Sequence, residues 1–538
     1  MKGYRKMKFS HLSFKELSSK ALTSLIVSAF LISSFLVYPF FMKSGYAGIC
    51  DAKYEFFLYS CLITILLLLL TGIVPLINSF KKTLATDVFV FLFMAVSLIS
   101  FLVSPYRQTS FIGSTGWNMG FLTWIVMIIM YYLISRLWDF SKYMLYAALA
   151  GSFGVFLLGI LDRFSFYIIP LEIRNPSFIS TIGNINWFMG YFSVMVPIGV
   201  TMWCAEKGTG EKKSRIKKAL LGLYVLISFS AGFAQGGESV LLFDAALFAG
   251  LLFFVFKGKI ELKNWFFTVA LWGLGAQIIR VMRVIPGLEF NYETTGVCVR
   301  LSEGNLMLFV MLGALLAGAI LHITGNSFEI SCFTKIKFNN ATISKIFCVF
   351  MFILMGCSVI FWLLIGFLKT NSNILPGFEN SVFYFDIRFG SGRGLAFWAA
   401  FEGIKSFDFG RFLIGVGPDC FEQFVYSLPG VGETLQFYWP ADRLTNAHSE
   451  MLTMMVNEGL LGLITYLGIF ISFMISQLKA VFRQKNSEDS AIGMCVILAV
   501  FCYLIHNIIS FSQICNTPFI FNILGIGGSL ILNRSKEV

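Results

Sequence analysis

Apolar runs of 17 or more residues recur along the whole chain, and each is long enough to cross a bilayer core of about 30 Å. That pattern leaves few folds open. In hydrocarbon every backbone N–H and C=O must be satisfied within the protein, so the runs must be helices packed side by side. Fourteen are counted, centred near residues 31, 67, 96, 128, 152, 195, 227, 248, 273, 314, 357, 464, 502 and 526. The expected fold is an all-α polytopic membrane protein. Residues 1–369 form an N-terminal bundle of about eleven spans, 370–450 one large hydrophilic loop containing short helices, and 451–538 about three more spans. Composition agrees: 57% of residues are hydrophobic and 13% charged, about half the charge of a soluble domain.

Lys and Arg set the orientation. With the N-terminus in the cytoplasm, 27 of the 41 basic residues lie inside, dominated by Lys2 to Lys20 and Lys207 to Lys218. Both termini are then cytoplasmic and the large loop is outside. The stretch at residues 21–42 reads as an uncleaved signal anchor, too long for a signal-peptide core. The net charge of +12 is topology signal and contact with anionic head groups, and calls for no nucleic acid. The two sides differ in kind as well as number. The inner set is 22 Lys and 5 Arg; the outer set is 4 Lys and 10 Arg, among them Arg174, Arg300, Arg388 and Arg393. Guanidinium is the planar fork that grips phosphate and carboxylate in two places, so the outer face reads as one that handles a phosphorylated substrate. Binding of lipid head groups or capping of helix ends would also use arginine.

Within the large loop, Gly390-Ser391-Gly392-Arg393-Gly394 is a glycine-rich joint. Leu395, Trp398, Phe401, Ile404 and Phe407 follow at every third residue, predicting an amphipathic helix with Arg393 at its N-terminus. Free N–H groups, the positive helix end and a guanidinium then converge on an anion. Gly415-Val416-Gly417-Pro418 marks a turn. Asn446 is the expected N-cap of a helix from about Ala447 to Leu478, which places His448 on a first turn above the membrane. A histidine there is held neutral by the helix end, able to accept a hydroxyl proton or orient an acceptor; capping or interface packing are the other uses of such a residue. Glu450 and Glu458 read as structural or substrate-orienting acids. His506, in the penultimate span, would face the same cavity, and Asp244 and Glu238 need partners within theirs. Eleven scattered cysteines show no metal-ligand spacing, and Cys50, Cys298, Cys420 and Cys515 fall outside. No P-loop, paired-aspartate or Gly-x-Ser-x-Gly motif stands out, so neither metal nor nucleotide cofactor is expected.

Three stretches carry a family likeness: Ser180-Thr181-Ile182-Gly183-Asn184-Ile185-Asn186-Trp187; Gly392-Arg393 with Trp398 and then Gly415-Val416-Gly417-Pro418; and Asn446-Ala447-His448-Ser449-Glu450 with Asn457-Glu458-Gly459. In this order the chain resembles the O-antigen ligase and polymerase superfamily, membrane enzymes that use polyprenyl-diphosphate-linked saccharides. The resemblance implies an inverting, metal-independent glycosyl transfer on the outer face of a bacterial cytoplasmic membrane. It implies that Arg393 holds the donor diphosphate and His448 activates or orients the hydroxyl of a glycan, lipid or protein acceptor. Asn184, Asn186, Trp398, Glu450 and His506 would contact substrate. The chain departs from the family where many members carry a Ser-Arg pair: it reads Gln235-Gly236-Gly237-Glu238-Ser239. Either a second phosphate-binding arginine comes from elsewhere, such as Arg174, Arg300 or Arg388, or the donor contact differs. The histidine motif, often His-Asn, is His448-Ser449 here. Composition suits a single-membrane bacterium, hence a capsule or exopolysaccharide polymerase. A flippase for lipid-linked oligosaccharide is the main alternative, since fourteen spans suit that class as well. A peptidoglycan-type transferase using Asp386, Asp408 or Asp419, and a protein O-glycosyltransferase, are further variants.

Overall fold

The computed structural model describes residues 14–170, 175–206, 208, 210–292, 296–324, 327–330, 336–372, 381–440, 443–484 and 486–534. It has the architecture of an all-α, multi-pass membrane protein. Among the described residues the only strands are two short antiparallel hairpins, Phe178–Ile179 with Gly183–Asn184 and Ser327–Ile330 with Ile336–Asn339. Among the described residues, twelve helices are long and apolar enough to cross a membrane, from Ser19–Phe40 to Ser487–His506. The other two expected centres, near 128 and 526, fall on the shorter apolar helices Phe121–Leu137 and Thr517–Asn533.

Two helices form the middle of the bundle. Ile185–Ala205 and Ser487–His506 are almost wholly enclosed and lie along each other. The connection that follows the second of them also comes close to the first: a Cβ on Gly190 would sit 1.9 Å from Asn516 Nδ2. The Thr342–Asn371 helix is the opposite case. It leaves Phe350, Ile353, Ile360, Phe361 and Phe367 exposed, an apolar surface of the kind that hydrocarbon covers in a membrane-spanning helix. Two buried carboxylates inside apolar helices are partnered. Asp87 receives the guanidinium of Arg136 and the Tyr131 hydroxyl, the latter at 3.0 Å, and Asp244 accepts from Trp272 Nε1 at 2.8 Å.

Between the Thr342–Asn371 and Glu450–Arg483 helices the chain forms short helices at Phe389–Lys405, Phe409–Ile414, Phe421–Ser427 and Val431–Tyr438. The first, third and fourth of these share a hydrophobic cluster, built from Leu395, Ala399, Val416, Phe421, Phe424 and Leu435 with Val456 of the following helix. The expected polar linker at Asn371 to Asn380 lies almost wholly outside the described residues.

Three local expectations are corrected. Of the expected apolar face of Phe389–Lys405, Leu395 is buried and Trp398, Ile404 and Phe407 pack against that hydrophobic cluster, whereas Phe401 is 51% exposed. Ala396, Ala399, Ala400 and Gly403 are buried beside them, small residues that let the helix lie close against its neighbours. The long helix begins at Glu450, three residues later than expected, with Ser449 at its N-cap position. Asn446 Oδ1 instead accepts from the His448 N–H at 2.9 Å, closing a turn ahead of the helix. Finally, that helix is broken at Gly459 (φ 68°, ψ −169°), where Val416 N and Gly417 N donate to the carbonyls of Val456 and Asn457 at 3.1 and 2.8 Å. A second segment takes the place of the helix's own hydrogen bonds there.

Candidate functional site

The hairpin Phe178–Ile179/Gly183–Asn184 delivers the chain to the start of the central helix. Asn184 caps that helix, its Oδ1 accepting from Asn186 N at 2.9 Å. The cap fixes Asn186 and Trp187 at the helix mouth. Over them closes the glycine-rich joint, where Gly390, Ser391 and Gly392 all adopt left-handed backbone (φ 57°, 60° and 96°). Three such residues in a row cannot continue a right-handed helix, so regular helix starts with Arg393 at its N-terminus.

These elements enclose a cavity of about 1140 Å³. Its walls are Trp117, Asn184, Asn186, Trp187, the 236–239 turn, Tyr292, Arg300, the joint Gly390 to Arg393, Trp439, Arg443, Asn446, His448 and Phe511. Trp187, Trp117, Phe511 and His448 form a chain of edge-on rings, with successive centroids 5.5, 5.2 and 5.4 Å apart. Apolar ring faces interleaved with amides and guanidinium suit a ligand with both C–H faces and anionic groups.

Arg393 is held from three sides. Its Nε donates to Ile509 O (3.1 Å), Nη1 to Gly390 O (2.9 Å) and Nη2 to Asn186 Oδ1 (3.1 Å). All three acceptors are neutral, and among the described residues no carboxylate lies within ion-pair distance. Burial lowers its pKa, opposed by the more distant charge of Glu238. A guanidinium so enclosed, with no counter-ion among the described residues, is a site prepared for an anion. Asn186→Ala is therefore expected to free the fork and weaken anion binding in the cavity about 10- to 100-fold, the penalty of one buried charged hydrogen bond. Asn186→Asp should also weaken it, by neutralising Arg393. Titration of the purified variants with inorganic pyrophosphate measures both.

His448 lies beside this arginine in left-handed backbone (φ 49°), a conformation costly for a residue with a side chain. Its imidazole opens onto the cavity but is otherwise crowded by protein. Burial first, and the Arg393 charge second, push its pKa down to about 3 from the ordinary 6.5. The ring is neutral as the sequence suggested, although it does not sit on a helix turn.

The other expected residues divide. Arg300 lines the cavity. Arg388 does not: it is exposed and pairs with Asp386, its Nη2 2.5 Å from Oδ2, because the turn before the joint directs it away. Trp398 packs against the hydrophobic cluster of the short helices. Glu450 lies beneath the cavity, where Oε2 accepts from Ser512 N at 2.5 Å. His506 is buried at the end of the penultimate helix and is not part of the cavity wall. Arg174 lies outside the described residues. Sequence reasoning passed over Trp117, Tyr292, Trp439 and Phe511. Their signal is aromatic residues just beyond span ends, which resembles ordinary interfacial anchoring.

Below the main cavity a small enclosed one is lined by Asp419, Glu450, Glu458, Asn457 and Thr453. Asp419 Oδ2 accepts from Ser114 N (2.8 Å) and Met119 N (3.0 Å), joining the short-helix segment to the loop before Phe121–Leu137. Burial pushes its pKa up to about 7 from 3.8 despite those bonds, with Glu422 and Glu450 adding to the rise. The signs for His448 and Asp419 are opposite. The raised Asp419 value contributes stability that is complete below pH 3.8 and lost as pH rises through 7. The depressed His448 value contributes stability complete above pH 6.5 and lost as pH falls toward 3. Melting curves in detergent should accordingly show Asp419→Asn gaining on wild type between pH 5 and pH 8. His448→Gln should gain in the other direction, between pH 7 and pH 4.5.

Compared with protein-family models and with curated proteins, the chain matches none.

Proposed function

We propose that this protein is a membrane glycosyltransferase that moves a saccharide from a polyprenyl-diphosphate donor to an acceptor hydroxyl on the extracytoplasmic face, in the manner of O-antigen ligases or of capsule and exopolysaccharide polymerases. On this reading all fourteen apolar helices cross the bacterial cytoplasmic membrane, both termini are cytoplasmic, and residues 370–450 lie outside. The observation that carries it is Arg393: an enclosed guanidinium whose partners among the described residues are all neutral, in an aromatic and amide-lined cavity, next to a neutral histidine. The acceptor oxygen bonds to the anomeric carbon as the bond from that carbon to the diphosphate oxygen breaks. The electron pair leaves on the phosphate, where Arg393 and Arg300 meet the developing charge. The acceptor proton passes to His448, whose basicity rises once the diphosphate offsets the neighbouring guanidinium, and from there to solvent. The cavity has room for several sugar units as well as the diphosphate, which fits a polymer-building enzyme.

Cells expressing His448→Ala at wild-type levels test this. Polyprenyl-linked saccharide should accumulate on the outer face as it does without the protein, and polymer should be lost. Accumulation on the cytoplasmic face, with normal polymer from the point variant, would replace the reading with a flippase.

A further inference from the structure

Cys50 and Cys515 are 465 residues apart, yet their sulfurs face each other at 3.6 Å, both buried. Cys50 stands in the first turn of Ile49–Thr71, and Cys515 in the connection between Ser487–His506 and Thr517–Arg534. The other two cysteines expected on this side behave differently. Cys420 Sγ lies 3.4 Å from Pro418 O and Cys298 Sγ 4.0 Å from Gly232 O, each turned to a nearby carbonyl. Bringing the first pair to the bonded separation of about 2.05 Å asks each sulfur to move by roughly 0.8 Å, within the reach of a small side-chain rotation.

We propose that Cys50 and Cys515 form a disulfide that ties the outer end of the second span to the last connecting loop. The step is a thiol–disulfide exchange. One cysteine thiolate attacks the disulfide of an extracytoplasmic dithiol–disulfide donor. The second thiolate displaces the donor's sulfur from the mixed disulfide, the protein pair loses two electrons and two protons, and the donor is left as a dithiol. Because both sulfurs are buried in the fold, the bond forms while the outer segments are still assembling. The outward placement of both residues rests on the topology proposed above, where thiol oxidation persists.

The bond would act on the site. The loop it anchors carries Ile509, whose carbonyl accepts from Arg393, and Phe511, whose ring meets His448. It also carries Ser512, whose N–H meets Glu450. The loop is already held by a hydrogen bond from the Tyr38 hydroxyl to Ile514 O. A covalent tie next to that bond would hold the backbone that positions Arg393 and His448.

The test uses the full chain from its own membranes, with thiols blocked by N-ethylmaleimide before lysis. The expected result is one linked peptide pair joining Cys50 to Cys515, with neither residue alkylated. Reduction should lower the melting temperature by several degrees, and Cys50→Ser should melt with the reduced protein and be insensitive to reductant. Alkylation of both residues in most molecules, or a disulfide to a different cysteine, overturns the proposal. A Glu433→Cys variant lacking the native cysteines identifies which premise fails. If an impermeant maleimide labels it on intact cells while native Cys50 and Cys515 are free, the orientation stands and the disulfide does not.

Discussion

Arg393→Lys is expected to reduce activity by about 10²- to 10³-fold, nearly as far as Arg393→Ala, although the charge is kept. The size follows from removal of a preorganised group that meets transition-state charge. The similarity of the two variants follows from shape. The guanidinium reaches Ile509 O, Gly390 O and Asn186 Oδ1 in three directions at once and still presents N–H groups to the cavity. An ammonium on a flexible stem cannot span those acceptors and also face a ligand, and it is more strongly hydrated in water, so burial costs it more. Arg411→Lys, on an exposed turn of the same segment, should leave activity unchanged. Surface polymer and polyprenyl-linked saccharide are to be quantified together, normalised to folded protein. Near-normal activity in Arg393→Lys would mean that the site needs only a diffuse positive charge, and the bidentate reading would fall.

The second large effect is structural. Gly415→Ala and Gly459→Ala should each cost about 3 kcal/mol or more and leave little folded protein. At this crossing two backbones touch. A Cβ on Gly415 (φ 70°) would lie 2.3 Å from Asn457 O, and one on Gly459 (φ 68°) 2.4 Å from the Leu413 carbonyl carbon. Backbone atoms have no rotamer by which to yield, and both φ values disfavour a side chain. Gly313→Ala is the control. Its Cβ would meet nothing within 4 Å, and within the Leu306–Ile323 helix alanine is the better residue by about 1 kcal/mol. Fluorescence-detected gel filtration and melting temperature in detergent read all three. Normal folding of Gly415→Ala would show that the Val416–Val456 and Gly417–Asn457 pairing is dispensable.

If that crossing gives way, the site should fail with it. The pairing fixes where the long helix restarts, and the same helix begins at Glu450, two residues after His448. The variants therefore separate two routes to lost activity: Arg393→Lys acts on a folded protein, and Gly415→Ala on the fold itself.

The apolar runs were enough to read the helical, membrane-spanning class, because a bilayer allows a backbone of that length almost no alternative to helix. The Gly390–Gly394 joint was legible too, since glycine in that density permits left-handed backbone, and so was the start of a helix at Arg393. The neutral state of His448 was anticipated from a helix end; the cause is burial and Arg393, which a linear pattern does not contain. Asn186 could be named from its motif, but its role in holding Arg393, 207 residues away, could not. Arg388 and Arg393 are both phosphate-binding candidates in the sequence, the second favoured by its glycine-rich joint. Only the turn at Asp386 and the joint after it send one to solvent and the other into the cavity. The break at Gly459 is of the same kind, since a glycine inside an apolar helix is ordinary until a second chain segment takes over its hydrogen bonds. Periodicity and composition report what each segment does with its own backbone in a given solvent, and that much the sequence determined by itself. Which side chains share a cavity, which cations lack a counter-ion and which thiols meet depend on contacts between segments hundreds of residues apart. Those were decided only by the packing of the helices.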